Sequence, residues 1–290
     1  MSVSRTFRSL VAFGAVATFA LGACSGGSAD TAPSAAEDAA TSSSTGLTTV
    51  TEGKLTIATG EPAYVPWVQN DDPASGEGFE AAVAYAVAEK LGFAKDDVVW
   101  TRTTFDSAIT PGAKDWDFNL QQFSITDERR NAVDFSSPYY TTSQAVLTVK
   151  GSNAEKATSV ADLKNVLFGA QAGSTSQQFL TEHVTTDKDP QIYNSNADVV
   201  QALKSGQVDA IVVDLPTAFF ISATQLDDKG VIVGQFEGTK DGDNYGLVLP
   251  KGSALTDAVT KAVDELREDG TLAALEEQWL SLAVDVPVLK

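Results

Sequence analysis

The chain has 290 residues, with 39 Asp and Glu against 20 Lys and Arg, a formal net charge of −19. That length suits about two domains or one large one. Its 43% apolar and 20% charged residues describe a globular protein and exclude a wholly disordered chain. The acidity excludes nucleic acid as a partner, because a net-negative surface repels phosphates and no Lys/Arg cluster offsets it. One Cys and one His exclude a structural zinc site and a disulfide framework.

Arg5 and Arg8 precede an apolar run from Leu10 to Leu21, shorter than the ~20 residues a membrane-spanning helix needs. Small residues follow, as in a secretory signal peptide, here residues 1–23. The run ends in Leu21-Gly22-Ala23-Cys24, followed by Ser25-Gly26-Gly27-Ser28. This resembles a bacterial lipobox, which implies that Cys24 is lipidated and anchors the exported chain on the outer face of the cytoplasmic membrane. The alternative is a buried free Cys, but a cysteine flanked by Ser and Gly has no core to join. The rest of the stretch to residue 50 is mainly Ser, Thr, Ala and Gly, and reads as a flexible tether over 24–50. Its root-mean-square span is about 25–30 Å.

From Lys54 onward strand and helix patterns alternate. Strands are expected at Leu55–Thr59, Val98–Thr104, Phe118–Ser124, Ala145–Lys150, Val166–Gln171, Ala210–Asp214, Val231–Phe236 and Gly246–Pro250. Phe79–Leu91 is the clearest helix, with Phe79, Val83, Ala86 and Val87 on one 3.6-period face. Further helices are expected at Gln177–Val184, Asn196–Gln207, Ser253–Arg267 and Thr271–Leu282. Alternating units of this kind give an α/β fold with helices packed on mainly parallel sheets. Whether they form one sheet or two lobes is left open by composition.

Three places carry chemistry. In Phe123-Ser124-Ile125-Thr126-Asp127-Glu128-Arg129 a strand ends, Thr126 can cap a helix, and Arg129 projects from its first turn. A guanidinium at a strand end can take a carboxylate with two parallel hydrogen bonds. Taken alone, the string fits a surface arginine paired with Asp127 equally well. In Gln171-Ala172-Gly173-Ser174-Thr175-Ser176 a strand turns through Gly173 into a helix whose N–H groups suit an anion, or are simply capped by Ser174 or Thr175. A P-loop is excluded, since no Lys-Ser/Thr pair follows the turn. In Ala210-Ile211-Val212-Val213-Asp214-Leu215-Pro216 a buried strand ends in an acid that either caps the next helix or holds an ammonium group. A carboxylate receptor and an ammonium receptor together complement a free α-amino acid. Tyr64, Trp67 and Phe105 lie near strand ends and can supply an apolar wall, or belong to the core.

These features, with Gly53–Thr59, Gly78-Phe79-Glu80, Asp134–Tyr140, Tyr245-Gly246-Leu247 and Asp269-Gly270-Thr271-Leu272, occur in an order that resembles the polar-amino-acid substrate-binding proteins of ABC importers. The resemblance covers roughly Gly53 to Leu282. It implies a two-lobed periplasmic-binding-protein fold, with lobe 1 at 51–147 and 247–290, lobe 2 at 148–246, and hinges near Leu147–Gly151 and Asn244–Val248. It implies that Arg129, Ser124 and Thr175 take the ligand carboxylate, and that Asp214 and the Gln122 carbonyl take the ammonium. Tyr64 and Phe105 match the aromatic positions that sandwich the side chain, and Phe123, Gln171, Ser174 and Trp67 belong to the same expected site. Relatives often carry an Asp just after the first strand, where this chain has Gly60-Glu61-Pro62; Glu61 either replaces that acid or faces solvent. Gln121 and Gln122, on a strand, would point to opposite faces, so one of them enters the cleft. The implied partners are a free amino acid, a permease with its ATPase subunit, and the membrane through Cys24. No cofactor is expected, and the protein is expected to act as a monomer.

Two rivals remain. An enzyme on the same fold, such as a dehydratase of a carboxylated substrate, would need a general acid, for which Glu61 is the candidate; the lone His183 lies away from the cleft motifs. A ligand-sensing module would be expected to carry a membrane helix or signalling domain, or to pair with a separate receptor.

Overall fold

Leu55–Gly60 (β1) is buried at every position, as befits a strand covered on both faces. The computed structural model describes residues 46–236, 243–280 and 286–290; the expected signal peptide and Cys24 lie outside them. The chain divides after Thr41, and every described strand and helix belongs to the unit Ser42–Lys290.

After β1 come α1 (Phe79–Lys90), β2 (Val98–Thr103), α2 (Phe105–Ile109), β3 (Phe118–Asn119), α3 (Asp127–Arg130) and β4 (Val133–Thr142). The chain then crosses at Ser143 into β5 (Gln144–Val149), β6 (Phe168–Gln171), α4 (Thr175–His183), β7 (Gln191–Tyr193), α5 (Asn196–Ser205), β8 (Ala210–Asp214), α6 (Leu215–Thr224) and β9 (Gly230–Phe236). It returns as β10 (Asp243–Pro250), α7 (Thr256–Glu268) and α8 (Thr271–Leu280), and ends in β11 (Val288–Leu289). The sheets are ordered β2-β1-β3-β10-β4 and β11-β9-β5-β8-β6-β7. This is a two-lobed α/β architecture. Both sheets are mixed: in each, the reversed strand, β10 or β5, is the one by which the chain enters from the other sheet.

Side-chain alternation explains how each sheet is clothed on both faces. Along β8, Ala210 and Val212 pack with Val146 and Phe168 on one face, and Ile211 and Val213 with Leu147 and Leu203 on the other. Each fully buried Ile, Leu or Phe stabilises the fold by roughly 1.5–3 kcal/mol. In the first lobe α1, α7 and α8 cover one face of β1, β3 and β10, while Trp116, Phe123, Phe135 and Val248 pack on the other.

Several expected boundaries move. Gln144–Leu147, assigned by sequence to lobe 1, pair in the second sheet, and Asp243–Gly246, assigned to lobe 2, pair in the first. The crossings therefore lie at Ser143 and between Phe236 and Asp243. The C-terminal residues do not stay in lobe 1: β11 adds to β9, the Gln235 N–H bonds the Pro287 carbonyl at 2.8 Å, and Leu289 is buried in the second core. Residues 47 and 50, expected to belong to the tether, are held by the folded unit: Leu47 packs on the first core and the Val50 N–H bonds Asp117 at 2.8 Å. The strand β4 went unexpected because Pro138 interrupts its pattern; the ladder accommodates it where the register shifts around Gly246. The strand expected over Phe118–Ser124 stops at Asn119, and Ser124 makes only an isolated bridge to Tyr245.

Candidate functional site

The strand ends of both sheets open onto one cavity of about 180 Å³. Its first-lobe wall includes Glu61, Tyr64, Trp67, Phe105, Gln122 and Ser124, and Arg129 beside them. Its second-lobe wall includes Gln171, Ser174, Thr175, Asp214 and Thr217. Of the side chains expected at the site, Phe123 alone does not line it. It is wholly buried and supports Phe105, with ring centroids 4.8 Å apart and stacked.

Thr126 caps α3 by accepting the Arg129 N–H at 3.1 Å, which turns Arg129 inward from the first turn. Arg129 is only 9% exposed. Its Nη1 donates to the Ser124 carbonyl at 2.7 Å and its Nη2 to the Gly173 carbonyl of the other lobe at 2.9 Å. The guanidinium lies over the Phe105 ring, 5.3 Å from its centre. Its partners are thus backbone carbonyls, and the surface pairing with Asp127 is not made. Burial lowers its pKa, against the opposing charges of Asp243, Asp214 and Glu128; arginine nonetheless remains a fixed cation.

Asp214 begins α6 without capping it, since no side-chain cap bond forms. Its carboxylate instead accepts from Gln144 Nε2 at 2.6 Å. The same amide nitrogen reaches Asp243 and, at 3.5 Å, Thr175 Oγ1, while Gln144 Oε1 accepts from the Ser176 hydroxyl at 2.6 Å. Ser124 Oγ and Thr175 Oγ1 lie 3.2 Å apart across the cleft. Ser174 caps α4 by accepting from the Gln177 N–H at 3.1 Å. Burial, then the neighbouring Asp243 charge, pushes Asp214 up to about 7, with Tyr245, Gln144 and Arg129 pulling the other way.

The floor is built by the start of α1. Gly78 has φ +103, and a Cβ there would lie 2.5 Å from the Trp67 carbonyl, which accepts the Glu80 N–H at 2.9 Å. Only glycine lets the helix start so close to that loop. Trp67 is 1% exposed and packs edge-on against Phe79, Tyr140 and Tyr245, with its Nε1 3.4 Å from Thr217 Oγ1 in the other lobe. It is therefore both core and cleft wall. Arg102 pins the loop carrying Glu61 and Tyr64, donating to the Gly60 carbonyl at 2.6 Å and to Asp71, which accepts the Ala63 N–H at 2.8 Å. Burial, with Asp198 and Asp71 beyond it, raises the Tyr64 hydroxyl pKa. Gln121 and Gln122 both line the cavity. The expected alternation fails because Gln122 takes a left-handed φ of +52 and breaks the strand pattern.

The sequence reading missed Gln144, Asp243, Ser176 and the buried Glu80. Glu80 had a signal: it shares a helical stripe with Val83, Ala84 and Val87, all buried, so an acid sits on an apolar face. The others lie at strand and helix starts where polar residues are common, and nothing in sequence distinguishes them.

A fixed cation from one lobe and an acid from the other face one small cavity, an arrangement that suits a small solute with opposite charges close together. The chain belongs to family 3 of the bacterial extracellular solute-binding proteins, whose model matches residues 55–282. It is 30% identical over 226 residues to the L-cystine-binding protein TcyJ of Escherichia coli, covering 77% of this chain and 82% of that one. It is 29% identical over 233 residues to an L-arginine-binding protein of Pseudomonas aeruginosa, covering 77% and 87%. Among solved structures, an ancestral arginine-binding protein bound to arginine matches with a TM-score of 0.65 at 30% identity, over 79% of this chain and 98% of that one.

Proposed function

We propose that this protein captures a free α-amino acid between its lobes and delivers it to an ABC importer. The observation that carries the reading is that Arg129 and Asp214, from different lobes, face one cavity. The ligand carboxylate pairs with Arg129, helped by the Ser124 and Thr175 hydroxyls, and the ammonium with Asp214 and the Gln122 carbonyl. The side chain lies between Tyr64 and Phe105. A zwitterion neutralises Arg129 and Asp214 and leaves Glu61, at the exposed edge of the cavity, unmatched; that imbalance favours a polar or cationic side chain. The named relatives that take cystine and arginine support this choice.

Because the two charged contacts come from different lobes, only the closed arrangement makes both, so ligand shifts the population toward closure. The hinges are the crossings at Ser143 and between Phe236 and Asp243. The closed form docks as a monomer on a permease with its ATPase subunit. Cys24 carries a lipid that holds the exported protein at the membrane.

Titration calorimetry with each of the twenty amino acids tests the reading: a few ligands of one chemical type should bind, and none should be turned over. Chemical change of a bound ligand would favour the dehydratase-like rival. Mass spectrometry of the mature N-terminus tests for a diacylglyceryl group on Cys24.

A further inference from the structure

Glu80 is 1% exposed on the floor of the cavity and meets no cation among the described residues. Its carboxylate gathers three donors: Oε1 accepts the Gln122 N–H at 2.7 Å and the Tyr139 hydroxyl, and Oε2 accepts the Gln122 side-chain Nε2. Two of the three come from one residue, so Gln122 is gripped by backbone and side chain at once. That residue holds a φ of +52, a strained conformation that a side-chain-bearing residue keeps only when its surroundings enforce it. A buried carboxylate is itself costly, and burial pushes Glu80 up to about 7. A carboxylate is nevertheless the group that fits. Three donors converge on an acceptor-only group, whereas an amide at position 80 keeps the Gln122 N–H only if the Gln122 side-chain amide turns over to present its oxygen. The start of α1, where the helix dipole favours a negative charge, reduces the cost.

We infer that Glu80 is a positioning residue that clamps Gln122 in its left-handed conformation and thereby fixes the backbone presented to the ligand ammonium. The inference rests on the proposed function for the role of Gln122, while the clamp itself is independent of any ligand. Glu80 lines the cavity, but its carboxylate is taken up by Gln122 and Tyr139, so its loss acts through Gln122 on the ammonium end.

The test uses Glu80→Gln and Glu80→Ala, each also combined with Gln122→Gly. The affinity for the preferred amino acid should fall 10- to 100-fold in Glu80→Ala and by less in Glu80→Gln, and that for its des-amino analogue by less than threefold in both. Gln122→Gly should restore a large part of the loss in Glu80→Ala, because glycine adopts positive φ without a clamp. Core damage would weaken both ligands alike and would not be repaired by Gly; either result overturns the inference. Amide exchange of the ligand-free protein supplies the second readout. The Gln122 amide should exchange at least tenfold faster in Glu80→Ala than in the parent, while β8 amides stay protected. An unchanged Gln122 amide refutes the clamp whatever the ligand. Failure of every amino acid to bind the parent protein, with the exchange result intact, refutes the proposed function and leaves the clamp standing.

Discussion

The Gln144 side-chain amide donates to the Asp214 carboxylate at 2.6 Å, so the acid at the end of β8 is held by the first residue of the strand that crosses between lobes. Gln144 is 1% exposed, and its amide oxygen is bound to Ser176 on α4. One side chain therefore ties the candidate ammonium receptor to the first turn of the helix beside the candidate carboxylate receptor.

Gln144→Ala should destabilise the protein by about 1–3 kcal/mol, because it strands the Asp214 and Ser176 groups in a buried setting. Urea denaturation of the ligand-free protein measures this. A change under about 0.5 kcal/mol on that scale would mean the network is not maintained in solution.

Binding should release a proton below neutrality. Asp214 stands at about 7, raised by burial and by Asp243 and lowered by Tyr245, Gln144 and Arg129. A ligand ammonium favours the carboxylate form, so at pH 6 the bound state holds fewer protons than the free one, and above about pH 8 the difference vanishes. Affinity should then fall toward tenfold per pH unit below 7 and be flat above 8. Calorimetry in two buffers of different ionisation heat counts the protons. Equal release in Asp214→Asn would assign the effect to another group.

Stability of the free protein should fall as pH rises from about 4 to 7. Asp214, near 7, keeps a proton in the folded chain over a range where the unfolded chain, with that carboxyl at its ordinary 3.8, has released it. Denaturant midpoints at pH 5 and pH 8 should differ in that direction. The slope should shrink in Asp214→Asn, and an unaltered slope would argue against a raised Asp214.

Gly78→Ala should cost about 2–4 kcal/mol, combining a positive φ with a Cβ 2.5 Å from the Trp67 carbonyl. A thermal melt showing wild-type stability would mean that the start of α1 relaxes freely.

The repeating units were legible because buried strands and amphipathic helices carry their periods openly: α1 and β8 match their expected ranges within a residue. The place of Arg129 and Asp214 on the cavity wall was legible too: Asp214 ends the apolar strand β8, and Arg129 stands in the first turn of a helix capped by Thr126. What sequence hid were contacts made across the crossings. Gln144 and Asp243 begin strands next to the change of lobe, and their meeting over Asp214 depends on how the two sheets are brought together. Gln122 misled for a local reason: its left-handed backbone is imposed by Glu80, 42 positions away, and no turn residue announces it. Phe123 misled because an aromatic beside Phe105 can stack behind it rather than face the cleft.

The central claim is that Arg129 and Asp214 hold the two ends of one zwitterion. Calorimetry of the preferred amino acid and its des-amino analogue against parent, Arg129→Ala and Asp214→Asn tests it most directly. Loss of Arg129 should weaken both ligands by at least 100-fold, and Asp214→Asn should weaken the amino acid far more than the analogue. Parent-like affinity in Arg129→Ala, or equal losses for both ligands in Asp214→Asn, would contradict the account.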